Sequence, residues 1–274
     1  MSSLDAVLRR ERAVVLSALA ALTALAWLYI VRGAGMGMSG LEMTRLALFP
    51  HALPDPAAGM GAMPGMSMPP AATWATVAGM WWVMMIAMMT PSAAPLVLLY
   101  ARVLRHHGLH GTGSAYAPSA FLVVGYLLVW LAFSAAAATL QVALQRAGLI
   151  SDMLLSSRSA LLSAGVLLAA GVYQLSPLKH ACLRHCRGPV EFLTRHWRPG
   201  VTGALSTGVR HGAWCLGCCW MLMALLFVGG IMNLVWVAVL ALLVLAEKAA
   251  PAGPRLGGVV GGVLIAWGIA TLVV

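Results

Sequence analysis

Seven stretches of the 274-residue chain run for close to twenty residues with scarcely a charge, and that pattern leaves few folds open. A membrane-crossing helix needs ~20 apolar residues to cover ~30 Å of hydrocarbon. The stretches 13–31, 74–100, 118–145, 159–175, 203–228, 231–249 and 256–274 are each near that length, the fourth being the shortest. Composition points the same way: 61% of residues are hydrophobic, 9% are charged, and the mean hydropathy is +0.91. A water-soluble domain carries roughly a quarter of its residues as charges, so this chain has too little polar surface to cover an aqueous fold. Within lipid only helices and closed barrels satisfy every backbone polar group. Barrel strands would read as short alternating segments, and none occurs. The expected fold is therefore all-α, a polytopic integral membrane bundle of about seven transmembrane helices.

Charge sets the orientation. With the N-terminus in the cytoplasm, thirteen of the 17 Lys and Arg residues fall on inside segments, and only Arg32, Arg45, Arg146 and Arg158 fall outside. Cytoplasmic loops collect Lys and Arg in this way, which predicts an N-terminus inside a bacterial inner membrane and Val274 outside. The same clustering explains the net charge of +10 without nucleic acid, for which no basic stripe or aromatic reader is present. The first apolar stretch, 13–31, outruns a signal-peptide core and has no clean small-residue cleavage site after it, so it reads as an uncleaved anchor. Three parts follow: 1–32, a tail and first helix; 33–73, an outside loop rich in Met, Gly and Pro; and 74–274, a six-helix membrane domain. Gly257, Gly258, Gly261 and Gly262 form small-xxx-small patterns that suit close helix packing.

Four constellations carry chemistry. In the outside loop, Met60, Met63, Met66 and Met68 recur at near-regular spacing with no core to pack into. Thioethers are soft neutral ligands that select Cu(I). The second apolar stretch holds Met84, Met85, Met88 and Met89 just before Pro91. A helical period puts these sulfurs on neighbouring faces, and the proline frees a backbone carbonyl and favours a kink. A methionine stripe also suits ordinary core packing.

The third constellation is the sharpest. His211, Cys215, Cys218 and Cys219 are spaced i, i+4, i+7 and i+8, so they project from one helix face. Thiolates are preferred donors for Cu(I) or Zn, and a bound ion offsets the cost of their charge in hydrocarbon. In the fourth, Cys182 and Cys186 are i, i+4 with His185 between them, in an inside loop where Arg184 and Arg187 would favour thiolates. Gln141, Tyr173, Gln174 and Asn233 read as interhelical hydrogen-bonding groups, and Glu247 and Lys248, at the inner end of the sixth span, as groups that pair with each other or snorkel. Nothing resembles a Ser/His/Asp set, a carboxylate pair or a phosphate loop.

Several of these motifs occur together and in order: Trp82 to Pro91, Tyr173-Gln174 through Pro177 to Arg187, Cys215 to Met223, Met232-Asn233 with Trp236, and Glu247-Lys248. The set resembles the bacterial family described as predicted metal-binding integral membrane proteins, a domain of unknown function, over about residues 74–274. The resemblance implies metal binding, and the methionine loop lies outside it.

The expected function is binding of Cu(I), with zinc as the alternative ion, and handling or transport of it through Met and Cys ligands. The expected partners are the bilayer, the metal ion and a metallochaperone or metalloenzyme. A thiol-redox membrane protein and a non-catalytic assembly subunit of a metalloenzyme are the alternatives, and an enzymatic role is the less expected.

Overall fold

The computed structural model describes residues 3–35, 37–48, 73–106, 116–152, 155–198 and 200–273. Among them every regular element is helical: α1 (Ser3–Val31), α2 (Gly40–Leu48), α3 (Trp74–His106), α4 (Tyr116–Arg146), α5 (Ala160–Leu175), α6 (Pro177–Arg187), α7 (Pro189–His196), α8 (Gly200–Ala224), α9 (Leu226–Gly229), α10 (Leu234–Ala249) and α11 (Gly253–Val273). The methionine loop at Met60, Met63, Met66 and Met68 lies outside the described residues.

Five helical segments are long and apolar enough to cross a bilayer: Arg12–Val31, Trp74–Leu104, Ala117–Arg146, Gly200–Gly229 and Gly253–Val273. The fourth and sixth expected spans are 16-residue helices, α5 and α10. At 1.5 Å per residue each rises only ~24 Å, short of the hydrocarbon core. Taken with α6 as one bent unit, α5 brings the number to six. Large apolar side chains such as Leu25, Leu161, Leu242 and Val259 stay exposed on the outer faces, a belt compatible with lipid contact.

Local chemistry explains the bend between α5 and α6. Pro177 has no N–H and crowds the preceding turn, which disfavours carrying α5 onward, though α3 runs through Pro91 and Pro95; after the extended Ser176 it takes the first position of a new helix. Ser176 serves both ends, donating its hydroxyl to Tyr173 O (2.7 Å) and accepting from Lys179 N (3.2 Å). The two helices meet at 63°, so α6 turns back against α8 instead of continuing outward. The stretch expected as an inside loop, 176–202, is thus largely two helices, and α6 is part of the core. At α10, Asn233 is a cap: its Oδ1 accepts from Trp236 N and its amide donates to Gly229 O. Gly230, at φ 94°, makes the preceding turn.

The centre of the bundle is α3, α4 and α8, with α1 and α11 at the periphery. Trp81 Nε1 donates to Gln141 Oε1 (2.7 Å) and Trp82 Nε1 to Leu127 O (3.2 Å), tying α3 to α4. Helices α4 and α8 approach backbone to backbone: a Cβ on Gly208 would strike Leu122 O, and one on Gly125 would strike Leu205 O. Small residues permit this contact where lipid supplies no hydrophobic drive between helices. Gly208→Leu is therefore expected to destabilise the bundle by about 1–3 kcal/mol, read as a lower melting temperature in detergent. Gly79→Ala, where a Cβ meets open space, should leave melting unchanged or slightly raised.

Candidate metal centre

The bend at Ser176–Pro177 carries the cysteines of α6 onto those of α8. Cys186 Sγ lies 3.8 Å from Cys218 Sγ, and the Cys186 side chain also interacts with that of Cys215. Cys182 packs over Gly217, where a Cβ would sit 2.8 Å from its sulfur; glycine at 217 is what lets α6 come this close. Tyr173 adds a hydrogen bond to the Gly217 carbonyl. All five cysteines are free thiols. The α6 and α8 thiols, expected as separate cytoplasmic and intramembrane sites, form one cluster.

Methionine closes a second side. Cys219 Sγ is 3.9 Å from Met89 Sδ on α3. Met84, Met85 and Met88 are fully buried in the same apolar core as Cys182, Cys215, Cys218 and Cys219. Two sulfurs sharing one ion at ~2.3 Å each can stand up to ~4.6 Å apart, so both contacts lie within bridging reach. They are far longer than the ~2.05 Å of a disulfide. Among the described residues no three His, Cys, Asp or Glu side chains form a ready-made metal cage. What the fold offers is sulfur pairs.

The two histidines stand apart from this. His185 stacks on Trp214 with ring centroids 4.1 Å apart, and its Nδ1 is 2.9 Å from Ala181 O. A carbonyl only accepts, so Nδ1 carries a proton and Nε2 is the ring nitrogen left free to face another partner. His211 sits one turn from Cys215, its ring 5.8 Å from Tyr126 and 5.3 Å from Phe192, with Nδ1 buried and without a partner. The structure does not carry it among the thiols.

Three residues at the cluster lay beyond the sequence signals. Lys248 Nζ donates to Cys215 Sγ (2.8 Å) and to Ser92 Oγ (3.1 Å). Tyr126 OH donates to Met89 O (3.1 Å) and lies 3.1 Å from Cys215 Sγ. The expected Glu247–Lys248 pair does not form. Glu247 instead takes Lys179 (2.7 Å) and Gln174 Nε2 (2.9 Å), with Lys179 and Glu247 only 1% and 2% exposed. The expected arginine influence on the α6 thiols is also absent: Arg187 reaches the carbonyls of Glu247 and Pro251, and Arg184 is exposed. A charged dipeptide ending an apolar helix was visible in the sequence, but not which neighbour each charge would meet.

The fold and this centre define a helical bundle with a buried thiol and thioether cluster. Residues 78–271 match the family PpoB2, described as a copper chaperone, and the chain belongs to that family. This supplies the copper relation, whereas the motif resemblance had implied a metal-binding membrane family without naming the ion. No curated protein and no solved structure matches the chain.

The Lys179–Glu247 pair fastens α6 to α10 beside the cluster. Glu247→Gln would strand the lysine charge, and a loss of about 3–5 kcal/mol is expected. Thermal melting in detergent checks this, and Lys179→Met with Glu247→Met together should recover most of the loss.

Proposed function

We propose that this protein binds Cu(I) within the membrane and passes it to a metalloenzyme or its carrier. The observation that carries the reading is the 3.8 Å approach of Cys186 to Cys218 from two different helices. Two-sulfur coordination by thiolates suits Cu(I), a soft ion that is content with few ligands. Cys182, Cys215 and Cys219 supply further thiols around the pair, and Met89, backed by Met84, Met85 and Met88, extends a soft path along α3. His185, through Nε2, and His211 would serve as donors only after turning from Trp214, Tyr126 and Phe192 toward the sulfurs. The loop methionines Met60, Met63, Met66 and Met68 would gather Cu(I) on the outer side, where thioethers resist oxidation better than thiols.

The reading takes the chain as seven passes through a bacterial inner membrane, with the N-terminus inside and 33–73 and Val274 outside. Short α5 and α10 would cross where the bilayer thins or where flanking side chains reach outward. A reporter active only in the periplasm, fused after Val274, should give signal, while the same reporter fused before Met1 should give none.

The test of the site is Cu(I) binding by the purified full-length protein, measured by competition with a chromophoric Cu(I) chelator. Cys186→Ser with Cys218→Ser should lower affinity by at least about a hundredfold, equivalent to ~2.7 kcal/mol. Met89→Leu should cost less, since a neutral thioether contributes no charge. Unchanged Cu(I) affinity in the double cysteine variant would sink the assignment.

A further inference from the structure

Resting on the Cu(I) reading above, we infer that α7 is a lid over the inner end of the sulfur centre, with Phe192 as its plug and His211 as a relay ligand behind it. Cys215, Cys218 and Cys219 are at most 2% exposed, so an ion held there needs a covered way out. A continuous set of contacts marks one. The Tyr126 hydroxyl lies 3.1 Å from Cys215 Sγ, and the Tyr126 ring is 5.8 Å from that of His211. His211 meets Phe192 edge to face at 5.3 Å, and Phe192 stacks on His196 at 4.8 Å. The line runs from the thiols to α7, whose far side is exposed at Val190, Glu191 and Arg195.

His211 is the member that packing alone does not explain. It is 4% exposed, and its Nδ1 has no hydrogen-bond partner. Stranding a polar atom in an apolar interior is costly, and phenylalanine would fill the same space without that cost. An imidazole nitrogen is a good donor for copper, and His211 stands one helical turn, ~6 Å along the axis, below Cys215. On turning from Tyr126 and Phe192 it takes an ion from the thiols, and the ion is then the missing partner of that nitrogen during passage. Beyond the plug, His196 Nδ1 donates to Phe192 O (3.0 Å), which leaves Nε2 to face a partner. His196 is half-buried at the rim. Imidazoles thus stand on both sides of one phenylalanine ring.

The attachment of α7 suits a part that moves. It has eight residues, Pro189–His196, of which Phe192 and Leu193 are the buried ones. Gly188 begins it without a side-chain cap, and Gly200, at φ 80°, follows it. At its end Thr207 Oγ1 donates to His196 O over a long 3.4 Å, and Trp197 packs on Tyr100. Two buried apolar side chains between glycines hold far less than the backbone contact of α4 with α8. Elements with few buried contacts open locally while the rest stays folded, so α7 opens before the bundle does.

The test uses the full-length protein in detergent and reads two rates. In metal-free protein a polar maleimide is added, and labelling of each cysteine is followed by mass spectrometry. Phe192→Ala is expected to speed labelling of Cys215 at least about fivefold and to leave Cys182, which packs over Gly217, within about twofold. In protein loaded with Cu(I), the same variant should quicken transfer to a chromophoric chelator at least about tenfold, with equilibrium affinity within about threefold. A lid changes entry and exit together, and so leaves the balance between them. His211→Phe keeps a ring in place and removes the nitrogens; it should slow transfer at least about fivefold and raise the melting temperature. It decides alone if Phe192→Ala does not fold. Cys215 labelling or Cu(I) transfer within about twofold of wild type in Phe192→Ala overturns the inference while leaving the copper site standing. So do equal rises at Cys182 and Cys215, which would mean a loosened bundle, or unslowed transfer in His211→Phe. A wild-type protein that binds no Cu(I) overturns the copper reading and the relay with it, and the labelling then decides whether α7 covers Cys215.

Discussion

The turn at Ser176–Pro177 is the constraint on which the rest of the centre depends. Were α5 to run on through residue 177, α5 and α6 would form one rod and the thiols of α6 would emerge beyond the bundle. Proline disfavours that continuation, Ser176 takes an extended conformation that breaks the helix, and its hydroxyl satisfies the backbone on both sides. The redirected helix then needs somewhere to lie. Gly217 opens that place on α8 by leaving its surface bare under Cys182. A local rule about proline and a missing Cβ forty residues away together produce the sulfur pair.

Holding α6 there places polar groups in an apolar interior, and the structure treats them in two ways. Lys179, Glu247 and Gln174 form a nearly closed set, with cation against anion and an amide donating to the carboxylate. Such a set fixes geometry more than it adds stability, since desolvation offsets most of the attraction. Arg187 contributes by binding the carbonyl at Glu247, which fastens the end of α10 to the end of α6. Lys248, one residue further on, is turned by the helical rotation of ~100° toward α3 and α8. The closed pair thus works as the anchor that aims Lys248 at Cys215 and Ser92.

Much of the fold was legible because apolar length is a direct physical requirement. The runs containing 13–31, 74–100, 118–145, 203–228 and 256–274 all emerge as long helices in the structure. The bend was legible only as a loop, because a proline amid basic residues looks like an exit from the membrane whether the next helix leaves or folds back. For the centre, the i, i+4, i+7, i+8 spacing correctly put the α8 cysteines on one face, since periodicity is intrahelical. Cys215, Cys218 and Cys219 are all buried accordingly, while His211 at the edge of that face drifts to Tyr126 and Phe192. Which helix supplies the opposing ligand is a matter of packing. No period in the sequence joins Cys186 to Cys218, Met89 to Cys219 or Lys248 to Cys215.

On the proposed reading the protein must release the ion it holds, and the shape of the centre bears on that. A four-ligand cage would suit a structural ion, with every bond closed and exchange slow. Paired sulfurs would leave coordination positions open, so that a competing thiolate or thioether could attack before the first bond breaks and the ion would pass through no bare state in hydrocarbon. The pairs here are drawn from different helices: Cys186 with Cys218 across α6 and α8, Cys219 with Met89 across α8 and α3. Cys218 and Cys219 are adjacent in sequence, so the two pairs share one turn of α8. On the proposed reading, an ion moving between them exchanges one partner helix for another while remaining on the same turn. Transfer on that reading would follow soft ligands already in van der Waals reach of one another, Cys186 with Cys218 and Cys219 with Met89.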